Sequence, residues 1–362
     1  MRKITPEQWD SLTARSGRQV VRCYANVLKN GAAAGRVPCG GTVALDTFEE
    51  IERTASLSIP QELDWLAVEL QPVMEIDEEE YPLGVFLPSS PEKVVDETGN
   101  TVWEVECYDR TLVLSEDRLT KDTTFYAGTE YLALITGLFY TAGIDTVAVL
   151  DPSDAALPTD RTFEQGTSRL QVINTLLDEI NYNKARCDAD GNFFISAYRE
   201  PVPGASDIAY QAGDGAVLLR EAEVLTDYFN RPNVFSVLVD NPELEETYYS
   251  EYINDDPGDP LSTVSRGRYI TADEEQVGSP DVTGSQEDLD LWLKRRVFEL
   301  SRSSETVKFY TLPIPVHEAL DSITLHLDDD INGIYQETGW EIKLEAGQPM
   351  SHTVRRFYYA GG

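Results

Sequence analysis

From Arg18 onward, apolar and polar residues alternate over short runs broken by turn residues, which is the period of β-strands. RQVVRCYANVLKNG ends in Asn30-Gly31, a dipeptide whose tolerance of positive φ suits a tight hairpin. GGTVALDTF and RTASLSI follow as candidate strands, then DWLAVELQPV, PLGVFL and TVWEVECYD, with Gly99-Asn100 as the turn before the last. Six strands with so few helical signals predict a sandwich or barrel over residues 18–122, after an N-terminal extension at 1–17.

The period then changes. Beyond Ala127-Gly128-Thr129, apolar residues fall at Leu132, Ile135, Leu138, Phe139 and Ala142, which is helical spacing, and Gly143 stops it. A second helix opens after Gly166, with Thr167 or Ser168 as its N-cap and Leu170, Ile173, Leu176, Leu177 and Ile180 on its apolar face. CDADGNFFISAYREP reads as a hairpin turning at Asp190-Gly191, and Pro201, Pro203 and Gly204 mark the exit. Residues 123–205 therefore predict a small α+β domain.

Residues 206–362 return to strands: EAEVLTDYF, NVFSVLVDN, TVKFYTLPIP, SITLHLD, WEIKLEA and SHTVRRFYYA. One helix interrupts them, capped by Ser285 with Asp288 three residues on and striped by Leu289, Trp292, Leu293, Val297 and Leu300. The fold class that results is mainly β with an α+β insertion: two β-barrel or sandwich domains flanking a small α+β domain. No sequence repeat relates the two β sections.

Charge narrows the possible partners. The chain carries 29 basic and 64 acidic residues, a net of −35. A surface of that sign repels phosphate backbones, which argues against specific nucleic-acid binding. Between Asp240 and Asp290, fifteen acids meet two arginines; the stretch 240–285 reads as a solvated acidic excursion. No run approaches the ~18–20 apolar residues of a membrane helix, and the basic start MRKITPEQWDSLTARSG lacks the apolar segment of a secretory signal. Cys23, Cys39, Cys107 and Cys187 are far apart and form no CxxC pair, so reduced, mostly buried thiols are expected.

Candidate chemistry is sparse. His317, His326 and His352 are the only histidines, and none has a Cys or second His near it at ligand spacing. HExxH, GxSxG, the P-loop and GxGxxG are all absent, so no catalytic or cofactor-binding constellation is expected. His326 alternates with apolar neighbours in SITLHLD and reads as an ordinary strand residue. Asp328, Asp330 and Asn332 before Gly333 match the start of a calcium loop. The twelfth position, where a bidentate Glu belongs, is Gly339, and strands flank the loop, so a polar inter-strand loop is the better reading. Asp188-Ala189-Asp190-Gly191 is accounted for by its hairpin turn. Carboxylate pairs of the kind that hydrolyse glycosides cannot be singled out among so many acids.

Four segments in order carry a resemblance to a known family. They are RQVVRCYANVLKNG with GGTVALDTFEEIERTASLSI; WEVECYDR followed by A-G-T and a helix; TFEQGTS with its helix, a D-x-D-G hairpin and an R-x-P exit; and NVFSVLVDNPE with TVKFYTLPIPVHEALDSITL. Together, over roughly 18–350, the chain resembles phage minor tail proteins of the tail-tip or baseplate hub. The motif positions are Tyr108, Asp109 and Arg110; Ala127, Gly128 and Thr129; Gly166, Thr167 and Ser168; and Asp188, Asp190 and Gly191.

That resemblance implies a homotrimer in which each subunit supplies two tail-tube-like β-barrels, adapting a sixfold tube to a threefold tip and letting DNA pass. The implied partners are further copies of the chain, a distal tail or tail-tube protein, a tape-measure protein and fibre or spike proteins. The implied location is the virion tail tip, after synthesis in the host cytoplasm and without membrane insertion. With no extension after residue 362, receptor binding and wall digestion are expected to fall to other tail proteins. Two other functions fit the same composition: a tail-tip cell-wall hydrolase, and a calcium-stabilised secreted β adhesion module.

Overall fold

The computed structural model describes residues 5–13, 19–95, 99–199, 208–213, 216–226, 231–242, 244, 246–280, 283–301 and 305–356. Pro201, Pro203, Gly204, Glu243 and Glu245 lie outside the described residues.

The chain is mainly β. Asn30 and Gly31, at φ 51° and 73°, turn Val21–Lys29 back onto Ala32–Pro38 in a two-residue hairpin, as the dipeptide predicts. Gly40–Asp46, Arg53–Ile59, Glu69–Ile76, Phe86–Val95 and Thr101–Asp109 complete this section, with Glu79–Pro82 as a short addition the sequence did not signal.

The first and last β sections share one sheet. Asn332–Lys343 pairs antiparallel with Gly40–Asp46, from Gly339 opposite Asp46 to Lys343 opposite Thr42. A fourteen-stranded sheet therefore runs from Leu218–Thr226 through Glu305–Thr311, Met350–Arg356 and Asn332–Lys343 into the N-terminal strands, ending at Ala32–Pro38. Ile208–Gln211 joins from the side, parallel to Ser322–His326. The core is shared as well: Leu57, Phe86 and Val105 pack in one cluster with Phe309, Tyr335 and Ile342. Leu12, on the short helix Pro6–Thr13, is buried in the same cluster, so the N-terminal segment contributes to the core.

The middle section has its own core. Tyr131–Thr141 buries Leu132, Ile135, Leu138 and Phe139, and Arg169–Glu179 buries Leu170, Ile173, Leu176 and Leu177, the faces their spacing predicts. Ser168 caps the second helix by accepting from Gln171 N at 3.1 Å, an interaction worth about 1 kcal/mol.

Within the acidic stretch Tyr248–Ile253 is a strand, and it packs with the expected flanking strand and helix as a third unit. Val234–Val239 lies outside the large sheet and pairs antiparallel with Tyr248–Ile253, with a further parallel bridge from Val234 to Thr271. The helix Gln286–Ser301 covers one face of that hairpin through Leu289, Trp292, Leu293 and Val297. Ser285 caps this helix, accepting from Asp288 N at 3.1 Å. Every second residue of the expected strand is apolar and buried, namely Phe235, Val237 and Val239, while acids of the stretch sit on loops and outward positions. Glu246 and Asp255 are exposed and Asp256 is half-buried.

Candidate functional site

Three constellations bring together residues that are distant in sequence. The first is the junction where the middle section meets the sheet. Arg110 sits just beyond Thr101–Asp109 and grips Glu69 in a fork, Nε to Oε1 at 2.7 Å and Nη2 to Oε2 at 2.8 Å. Its remaining arm donates to the Gly191 carbonyl at 3.1 Å. Gly191 has φ 77°, and a Cβ there would lie 2.7 Å from Val85, so only glycine lets the hairpin approach. Asp188 organises that hairpin, its Oδ1 accepting from Asp190 N and Asn192 N at 2.9 and 2.8 Å. Two of the motif groups thus meet through one guanidinium.

Around them, Arg186 forks onto Glu52 at 2.6 and 2.9 Å. Buried Arg53 donates to Leu83 O at 2.8 Å and to Glu318 at 2.5 Å, tying the first β section to the last. Asp109 accepts from Thr111 N at 2.8 Å and from the Thr111 hydroxyl. Burial nonetheless pushes its carboxyl above the usual range. Tyr108 pairs with Thr54 and Leu87 on the neighbouring strands. These residues hold sections together: Glu69, Glu52 and Glu318 are occupied by arginines, and Asp109 and Asp188 by nearby N–H and hydroxyl donors.

The other motif groups, A-G-T at 127–129 and G-T-S at 166–168, form the second constellation. They turn out to be copies of one another. Thr124-Phe125-x-x-Gly128-Thr129-x-x-Leu132 recurs 38 residues later as Thr162-Phe163-x-x-Gly166-Thr167-x-x-Leu170. The strands Thr123–Phe125 and Arg161–Phe163 pair antiparallel, with Thr124 opposite Thr162. The backbone N–H bonds at the turn of one copy have counterparts in the other. Ala127 N donates to Asp160 at 2.8 Å, and Gln165 N to Asp122 at 2.9 Å. Gly128 N donates to Leu157 O, and Gly166 N to Leu119 O, both at 2.8 Å. Gly128 and Gly166 take φ 81° and 92°, and an eleven-residue helix follows each. The middle section is a pseudo-twofold duplication, and T-F-x-x-G-T was its sequence signal.

The third constellation corrects the reading of the histidines as isolated. His317 and His352 meet on either side of Glu337, all three fully buried. His317 Nδ1 lies 2.5 Å from Glu337 Oε2 and His352 Nδ1 2.6 Å from Oε1. A carboxylate only accepts, so both Nδ1 atoms carry protons. Tyr210 OH faces His317 Nε2 at 2.7 Å, and Thr311 Oγ1 faces His352 Nε2 at 2.9 Å. Burial alone would raise the Glu337 carboxyl, but the two imidazoles outweigh it and hold it well below its usual range. Burial pushes His352 down despite the carboxylate beside it. Adjacent Asp321 is pushed up by burial to about 6.

Among the described residues, this trio is the group whose donor atoms converge closely enough for a metal. Ligands on a tetrahedral ion stand roughly 3.3 Å apart. The 2.5 and 2.6 Å separations here are N–H···O distances, and all four ring nitrogens have partners. The donors satisfy one another, and the geometry is that of a buried polar network. His326 is a half-buried strand residue opposite Gln211 and Asn332, as its alternation predicts. Asp328 spends Oδ1 on Asp330 N and Ile331 N at 2.9 and 2.7 Å, shaping the loop between Ser322–His326 and Asn332–Lys343. Asp330 and Asn332 are exposed there, and the calcium-loop resemblance reduces to a hairpin turn. All four cysteines are free thiols, three of them buried.

This arrangement is a phage tail-protein fold. The chain is similar in structure to a tail protein from Neisseria meningitidis, with 11% identity, 92% of this chain and 96% of that one covered, and a TM-score of 0.65. It is also similar to the 43 kDa tail protein of a Shewanella oneidensis prophage, at 12% identity, 92% and 98% coverage and a TM-score of 0.63. A prophage tail protein from Listeria monocytogenes aligns at 13% identity over 92% and 94% of the chains, with a TM-score of 0.55. No family model and no curated protein matches the sequence.

Proposed function

We propose that the chain is a structural hub of a bacteriophage tail tip. In this reading three copies form a ring that adapts the sixfold tail tube to a threefold tip and lets DNA through during ejection. The observation that carries it is the fold, shared with three tail proteins over more than nine-tenths of every chain compared. A ring closed head to tail needs two unlike surfaces on each copy. The large sheet offers Ala32–Pro38 at one end and Leu218–Thr226 at the other. Among the described residues these two strands end the sheet, and strand edges of this length are liabilities in an isolated protein.

The charge fits a conduit. A net of −35 keeps a passing phosphate backbone from adhering. Acids on barrel strands and their short loops face the channel in this reading, while the third folded unit, with Glu246, Asp255 and Asp256, lies on the outer or partner-facing side. The ring binds a distal tail or tube protein on one side and fibre or spike proteins on the other, with the tape-measure protein in the channel. A hydrolase reading is disfavoured because the one His-and-carboxylate trio among the described residues is closed to solvent. Immunogold labelling of purified particles tests the assignment: label at the distal end of the tail supports it, and label on capsids alone contradicts it.

A further inference from the structure

The two halves of the duplicated middle section differ in the space between strand and helix. In the second copy, the space between strand and helix is plugged by the chain itself. Arg161 lies over the Phe163 ring at 5.5 Å and pairs with Glu179 at 2.6 Å. Glu179 also accepts from Tyr131 OH at 2.8 Å. The offset of 38 residues maps Arg161 and Glu179 onto Thr123 and Thr141 in the first copy. Two threonines cannot span the gap, and a groove of about 640 Å³ stays open in place of the plug.

Its floor is Phe125, Leu134 and Leu138, and at Gly137 an added Cβ would meet nothing within 4 Å. The helix forming one wall, Tyr131–Thr141, has no charged residue, and its outward positions include Ala133, Gly137 and Tyr140, the last 69% exposed. A helix without a polar face normally has all sides covered. The lip carries Arg118, Lys121 and Arg169 against the single carboxylate of Asp117. A net positive lip is the opposite of what a chain of net −35 presents elsewhere.

From these observations we infer that the groove is a docking site for an acidic, amphipathic segment of another tail protein. Arg169, the counterpart of Tyr131, donates to Thr141 at 2.9 Å, so apolar side chains of that segment fill the space that Arg161 fills in the second copy, and its carboxylates meet Lys121 and Arg118. This rests on the reading of the chain as a tail component. A second copy of this chain is a poor occupant because in the proposed ring copies meet along the strand edges Ala32–Pro38 and Leu218–Thr226, which do not line this groove.

The test places a photo-crosslinking amino acid at position 137 in particles made by the host, followed by mass spectrometry of the cross-linked peptides. The expected product joins this chain to an acidic, apolar segment of a different virion protein, and Lys121→Glu with Arg118→Glu lowers its yield at least fivefold. Particles that contain the chain but give no product, a product with another copy of this chain, or a product insensitive to the charge reversal overturn the inference. Particles lacking the chain altogether overturn the tail reading itself, and the docking site with it.

Discussion

Thr124 and Thr162 stand 2.8 Å apart, hydroxyl to hydroxyl, on the axis that relates the two copies of the T-F-x-x-G-T unit. The phenylalanines that follow them meet edge to face at 6.0 Å. Each unit uses its glycine to swing from strand into helix with φ near 90°, a conformation that costs a residue with a Cβ about 1 kcal/mol.

Glycines of this one section should therefore respond in opposite directions. Gly128→Ala and Gly166→Ala are each expected to lower stability by about 1 kcal/mol in urea denaturation. Gly137→Ala, inside a helix and facing open space, is expected to raise it by roughly 0.5–1 kcal/mol. A loss at Gly137 would mean that the helix needs its bare backbone.

Gly191→Ala tests the junction. The new Cβ combines a positive φ with a close approach to Val85, and the expected loss is about 1–3 kcal/mol. Arg110→Ala, which removes the fork onto Glu69 and the bond to the Gly191 carbonyl, should add less than its separate cost in the double variant, since the two residues share a contact. Full additivity in a double-mutant cycle would contradict the link.

Glu337→Leu leaves two buried imidazoles facing an apolar side chain, and the expected loss is about 3–5 kcal/mol. Exhaustive chelation followed by zinc or calcium should leave the melting temperature of the unmodified protein unchanged. A rise with zinc that His352→Ala abolishes would convert the trio into a metal site, and a rise with calcium would do the same for the Asp328 loop.

The same trio sets a pH response. Glu337 has a depressed folded-state value, so its contribution is complete above the ordinary 4.5 and is lost as the pH falls below it. His352 is also depressed, so the unfolded chain takes up a proton below the ordinary 6.5 that the folded chain resists, and stability again falls on acidification. Asp321 acts in the opposite sense, its contribution fading as the pH rises through about 6. Two effects against one predict weaker folding below pH 4.5, and Glu337→Gln should flatten that slope. A slope unchanged by Glu337→Gln would assign the acid sensitivity elsewhere.

Local chemistry was legible in the sequence wherever a backbone conformation demanded a residue type. Asn30-Gly31, Ser168 and Ser285 with Asp288 each lie at the turn or cap they predict. The Glu337 trio was hidden for a physical reason: its members are separated by 20 and 15 residues, the pairing of Asn332–Lys343 with Met350–Arg356 brings Glu337 to His352, and backbone bonds of Leu320 and Asp321 to Glu337 bring in the segment carrying His317. Among 64 acids, nothing local marks Glu337. The sheet shared by the first and last β sections was invisible for the same reason, because non-local pairing leaves no periodic signal. The duplication could have been read directly, since Thr-Phe, Gly-Thr and Leu recur at one offset; comparing the two β sections passed over the repeat inside the section between them.

The proposed assembly is a threefold ring at the tail tip with a channel that phosphate does not adhere to. The direct measurement is electron cryo-microscopy of purified tails, resolving the copies of this chain around the tail axis and the side chains facing the lumen. Three copies below a sixfold tube are expected, with Ala32–Pro38 of each copy facing Leu218–Thr226 of the next and a channel lined on balance by Asp and Glu. Six or twelve copies around the axis, or a channel lined mainly by Lys and Arg, would contradict it.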